Sequence, residues 1–170
     1  MPSTAELLRA HVADLFLCVV AVAMVYDLVR FRIPNTVSLA LVGLFVVGAL
    51  AAGGPVDWLS HIGAGALLLA VGAVLFAFGW LGGGDVKLLA SISVWMGFSL
   101  LPAYLVLVGL AGGALALLLV LLRPRLVLTE PLWTRVGLDM PRVLRPGEAV
   151  PYGIAIGAAA LLLSPRLLLP

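Results

Sequence analysis

The sequence predicts an all-α, polytopic membrane protein of about six transmembrane helices in a compact bundle, and three observations carry that expectation. Of its 170 residues, 64% are hydrophobic and 11% charged, where a soluble domain carries about 25% charged residues. The mean hydropathy is +1.23, which leaves too little polar surface to cover a globule of this size. Several apolar runs also approach the roughly 20 residues that a spanning helix needs.

The runs cover 12–29, 36–52, 58–79, 86–101, 103–122 and 149–163. The fourth and sixth are short, and the fourth and fifth are separated only by Pro102, the expected joint; five spans with a re-entrant piece is the alternative. Before the first run lie Glu6, Arg9, His11 and Asp14, without a basic leader region or a small-residue cleavage site, so this run is expected to remain as a helix. Residues 1–170 read as a single membrane-embedded domain with a polar loop at about 123–149. Its four prolines, Pro124, Pro131, Pro141 and Pro146, argue against a packed domain there, and Glu130, Asp139 and Glu148 are expected to be solvated. Such a segment suits a membrane surface with anionic lipid.

Lysine and arginine set the orientation. With six spans, Arg30, Arg32, Lys87, Arg123, Arg125, Arg135, Arg142 and Arg145 share one side and only Arg9 and Arg166 the other, so the richer side is expected to be cytoplasmic. Trp58, Trp80, Trp95 and Tyr104 read as interfacial anchors. Gly65, Gly72 and Gly79, and the pairs Gly109/Gly113 and Gly153/Gly157, read as helix-packing faces. The single cysteine, Cys18, excludes a disulfide or a zinc ribbon within one chain and reads as buried packing. No nucleic-acid motif occurs, and neither a metal nor a cofactor is expected.

Two acids stand apart. Asp27 lies near the end of the first run and Asp85 opens the fourth, with two complete crossings between them. An even number of crossings returns the chain to the side it left, so both carboxylates are expected at one membrane face. Ionisable groups at membrane depth are costly and by default functional. Two close carboxylates share a proton near neutrality and can act as general base toward water and general acid toward a leaving amine. Structural readings stand beside this one: Asp27 can pair with Arg30 at i,i+3, and Asp85 can cap the helix that follows.

The residues around these acids resemble a known family. Gly82-Gly83-Gly84-Asp85-Val86-Lys87 fits the GxGDxK form of type IV prepilin peptidases, which are membrane aspartyl proteases of the GxGD type. Asp27, followed six residues later by Ile33-Pro34-Asn35, is similar to that family's first motif, and Pro151-Tyr152-Gly153-Ile154-Ala155-Ile156-Gly157 looks like its last-helix motif. Three motifs in this order span nearly the whole chain.

The resemblance implies a multi-pass peptidase of the bacterial inner membrane that cuts the leader from type IV prepilins at the cytoplasmic face, with Asp27 and Asp85 as the catalytic pair. Bifunctional relatives carry an extra cytoplasmic region, usually with paired CxxC motifs, and methylate the mature pilin. This chain lacks both and looks like the peptidase-only form of tight-adherence, or Flp, pili. Prepilins, membrane lipid and the pilus assembly machinery are the implied partners.

Supporting roles follow for the remaining motif residues. Gly82 and Gly84 would admit a substrate strand, and Pro34 and Asn35 would end the first span sharply. Lys87 would steady a carboxylate or meet a headgroup, and Pro151, Tyr152 and Gly153 would pack beside the site. The rival class is a small transporter or channel subunit using intramembrane carboxylates; a purely structural assembly subunit is the third reading.

Overall fold

The computed structural model describes residues 4–51, 54–135 and 137–168, and the side chains of 6–164 within them. Ala52, the expected end of the second run, Val136 in the polar loop and the Arg166 side chain lie outside the described residues. The architecture is all-helical. Its elements are α1 (Thr4–Arg30), α2 (Asn35–Ala51), α3 (Trp58–Ala77), α4 (Gly83–Leu126), the short α5 (Glu130–Arg135) and α6 (Tyr152–Leu168). Two 3₁₀ turns, Val127–Thr129 and Arg142–Leu144, flank α5. The loop expected from 123 therefore begins at 127, because α4 runs on through Pro124 to Leu126. Among the described residues, three helical segments are long and apolar enough to cross a membrane, and α2 and α6 are shorter apolar helices.

α4 is two rods. Gly97 interrupts it at φ 58°, ψ 179°, a region open essentially to glycine alone. Helix pairings give the direction of each rod. Lys87 reaches Asn35 and Trp95 reaches Leu41, so 83–96 runs parallel to α2. α2 runs against α1, since Arg9 bonds the carbonyl of Ala51 and Gly48 abuts Val12. Gly153 meets Asp27 and Gly157 meets Met24 and Val20, so α6 runs against α1. Tyr104 bonds the carbonyl of Ile156 and Gly112 packs on Tyr152, so 98–126 runs against α6 and therefore parallel to α1. The two rods of α4 are thus antiparallel, and the chain reverses at Gly97. Pro102, the expected joint, lies inside the second rod. The N–H freed at the reversal is satisfied from α3, where Ser60 Oγ accepts from Phe98 N at 2.9 Å.

The first rod of α4 is the centre of the molecule. Val86, Leu88 to Ser93 and Trp95 to Gly97 are all buried, which covers every face of a 3.6-residue helix. Trp95 is a core residue rather than an interfacial anchor. Its ring packs on Phe16 with centroids 4.5 Å apart, and its Nε1 donates to Leu41 O at 2.9 Å. Tyr104 is likewise fully buried, whereas Trp58 and Trp80 are exposed. An indole N–H or phenol O–H needs a polar partner wherever it lies, and here helix carbonyls supply one inside the bundle. Cys18, expected to be buried, faces outward from α1.

Glycine sets the closest approaches. Gly65 and Gly72 of α3 abut Val94 and Val86 of α4, and Gly153 and Gly157 abut α1. The pair Gly109/Gly113 has open space on both members; Gly112 between them is the one that packs, against Tyr152. Gly79 is a turn residue at φ 73° with nothing near it.

Candidate active site

Asp27 sits one turn before the end of α1, with 5% of its surface exposed. Its Oδ2 accepts the backbone N–H of Gly153 at 2.7 Å, which ties α1 to the first turn of α6. A Cβ at Gly153 would lie 2.8 Å from that oxygen, so only glycine lets the N–H come this close. The expected alternative partner, Arg30, instead lies over the Tyr26 ring at 5.6 Å.

After α1 the chain turns through Phe31, at φ 51°, and Ile33 is buried. Pro34 O accepts Val37 N at 3.1 Å as α2 begins at Asn35. This turn is pressed against the glycine run: a Cβ at Gly84 would be 3.3 Å from both Ile33 N and Ile33 Cβ. Asn35 Oδ1 accepts Lys87 Nζ at 2.8 Å, so the starts of α2 and α4 are tied together.

Gly82 is the N-cap of α4, in extended conformation, and Asp85 is the third residue of the helix. The Asp85 carboxylate folds back beside the N-cap residue. A Cβ at Gly82 would stand 2.7 Å from Asp85 Oδ2. The glycines expected to admit a substrate strand therefore have internal work: Gly82 makes room for the aspartate's own carboxylate and Gly84 for the Ile33 turn. Gly82 does line the cavity described next.

Asp27 and Asp85 face one cavity of about 730 Å³. Phe31, Trp80, Ala149, Val150 and Tyr152 line it together with the two aspartates, and Leu105, Val108 and Gly109 of the second α4 rod contribute apolar lining. Pro151 is fully buried beside it. Lys87 does not reach this cavity. It lines a separate groove on the other side of α4 with Asn35, because residues 85 and 89 point one way and 87, 90, 91 and 94 the other on a 3.6-residue helix. Among the described residues, no three His, Cys, Asp or Glu side chains gather as a metal ion would need.

The polar loop is held over this end of the bundle by arginines. The guanidinium of Arg123 donates to Val143 O at 3.1 Å, Glu148 O at 2.7 Å and Ala149 O at 2.9 Å. Arg142 forms an ion pair with Glu148 at 3.0 Å and lies over the Phe31 ring at 4.9 Å. Hydrogen bonding to Arg142 holds the Glu148 carboxyl below its ordinary range, so Glu148 is anchored rather than merely solvated. Nothing local in the sequence marks Arg123 or Leu105 as neighbours of the site; only the fold brings them there. The Gly153 N–H is a backbone group and carries no side-chain signature.

No curated protein and no solved structure matches the chain. Residues 15–117 match the model of the type IV leader peptidase family, a stretch that includes Asp27, Ile33 to Asn35 and Gly82 to Lys87 and stops short of Pro151. That match covers well over half of the sequence, and the chain belongs to the type IV leader peptidase family.

Proposed function

We propose that Asp27 and Asp85 are the catalytic pair of an aspartyl endopeptidase that removes the leader from Flp-like type IV prepilins at the cytoplasmic membrane face, without methylating the product. One observation carries this reading: both carboxylates face the same cavity, and Asp27 is oriented there by the backbone N–H of Gly153. A carboxylate held by an amide keeps lone pairs free for a water, whereas a bidentate arginine would occupy them.

In this mechanism one carboxylate of the pair takes a proton from a water as its oxygen attacks the scissile carbonyl carbon. The other, protonated, donates to the carbonyl oxygen. Collapse of the tetrahedral intermediate breaks the C–N bond, and the amine leaves with a proton from the pair. The apolar side of the cavity, at Leu105 and Val108, suits the start of a pilin's apolar helix.

The alternating directions of α1, α2, α3, the two rods of α4 and α6 support six spans. Arg30, Arg32 and the loop arginines lie at the carboxylate end, which supports a cytoplasmic-facing site. The test is co-expression with small proteins bearing a leader, a glycine and an apolar helix, with processing read by mass. Asp27→Asn and Asp85→Asn should each abolish cleavage with the protein still inserted; near-normal processing by either variant would sink the paired mechanism.

A further inference from the structure

On the side of α4 away from the carboxylates, α2 and α3 flank a groove of about 560 Å³ floored by α4. One end is polar. The N-termini of α2 and of the first α4 rod lie together there, as the Lys87–Asn35 bond at 2.8 Å requires, and each brings the positive end of a helix dipole. Lys87 has three N–H donors and Asn35 takes one. Ser38, 8% exposed, lines the same end, and its hydroxyl has no hydrogen-bond partner among the described residues.

Apart from Ser91, whose hydroxyl donates to Lys87 O at 2.6 Å, the rest of the groove is apolar, through Val42, Ala66 and Val94 to Trp58. From Asn35 to Val46 the wall is twelve residues of helix, about 16 Å from first to last, close to half of a roughly 30 Å hydrocarbon core. The shape is one cationic seat with one leaflet's depth of apolar channel.

We propose that the groove is a site for one anionic phospholipid, its phosphate seated on Lys87 and the paired N-termini of α2 and α4, and one acyl chain lying along Val42 and Ala66 toward Trp58. A zwitterionic choline lipid is a poorer occupant, because its quaternary ammonium offsets the phosphate charge and offers no N–H or O–H to Asn35 or Ser38. The site stands whether or not the carboxylates hydrolyse peptides.

Native mass spectrometry of the full chain from detergent micelles, with dioleoylphosphatidylglycerol or dioleoylphosphatidylcholine added, tests this directly. One phosphatidylglycerol should be retained about tenfold or more over phosphatidylcholine, the size of a hydrogen bond to a charged group. Lys87→Gln should remove the preference and Lys87→Arg should keep it. Ala66→Phe, which fills the channel and leaves the polar end intact, should lower phosphatidylglycerol retention. Equal retention of the two lipids overturns the proposal, as does a preference that survives Lys87→Gln or Ala66→Phe. Displacement of the lipid by equimolar glycerol 3-phosphate would mean a plain anion site, and a dimer that excludes lipid would mean a groove covered by a second copy. If Lys87→Gln fails to insert, the Ala66→Phe and Lys87→Arg results still decide.

Discussion

Gly153 donates its backbone N–H to Oδ2 of Asp27 at 2.7 Å, so the last long helix orients a carboxylate carried by the first. A methyl at 153 would stand 2.8 Å from that oxygen and 3.0 Å from Asp27 Cβ and Cγ. Gly153→Ala should therefore turn the carboxylate or push α6 from α1, and leader cleavage should fall at least about tenfold, mainly in kcat. Alanine in a helix is otherwise favoured over glycine by about 1 kcal/mol, so helicity by circular dichroism should not fall with activity. Unchanged turnover would remove Gly153 from the site.

Gly84 makes a different kind of contact. Its neighbours are the backbone N and Cβ of Ile33, 3.3 Å from where a methyl would go, and neither can swing aside as the end of a long side chain could. Gly84→Ala should separate the start of α4 from the turn before α2 and cost about 1–3 kcal/mol, read as a lower melting temperature in detergent. Cleavage should fall with it, because Asp85 is the next residue. Gly83→Ala is the comparison: its would-be methyl meets only the Phe76 ring at 3.3 Å, and it should be milder on both measures.

These two glycines show how much of the molecule was legible in the chain. The apolar runs pointed to an all-helical membrane protein, since of the two architectures that can span a bilayer only the helix is built from runs of this length. Crossing parity brought Asp27 and Asp85 to one end without any geometry, and they share a cavity. What the glycines are for was not legible, because a missing side chain does not say whether a ligand, a helix or the neighbouring carboxylate fills its space. Trp95 and Tyr104 misled for a related reason. Near a span end an aromatic suits an interface as well as a core, and only the Leu41 and Ile156 carbonyls decide between them.

The loop over the site should respond to acid. Glu148 is held below its ordinary value of 4.5 by Arg142, so its ion pair favours the closed loop fully above that value. That contribution is lost as the pH falls through the lowered value and the carboxylate takes a proton. Both side chains are partly exposed, so salt should weaken the same contact. Limited proteolysis between 136 and 148 should accelerate below about pH 4.5 and at high ionic strength. Glu148→Gln should raise cleavage at neutral pH and flatten both dependences. A loop whose protection ignores acid, salt and this substitution would not depend on the Arg142–Glu148 pair.

The reversal inside α4 separates two residues that look interchangeable in the sequence. Gly97 holds φ 58°, ψ 179°, and a methyl there would also press on Ser60 Oγ at 3.1 Å and the His61 ring at 3.2 Å. Gly97→Ala therefore meets backbone strain of about 1–3 kcal/mol and disturbs the serine that caps the second rod. Relief would come from straightening α4, which would pull 98–126 away from α6 and leave Tyr104 without Ile156 O. Pro102→Ala gives a rod interior back its missing N–H and relieves a proline in a helix, so it should be neutral or stabilising. Thermal melts in detergent, paired with crosslinking of cysteines placed at 104 and 156, separate the residues. Gly97→Ala should lower both the melting temperature and the crosslink yield, and Pro102→Ala should lower neither. If the proline variant lost the crosslink and the glycine variant kept it, the turn would belong to Pro102 after all.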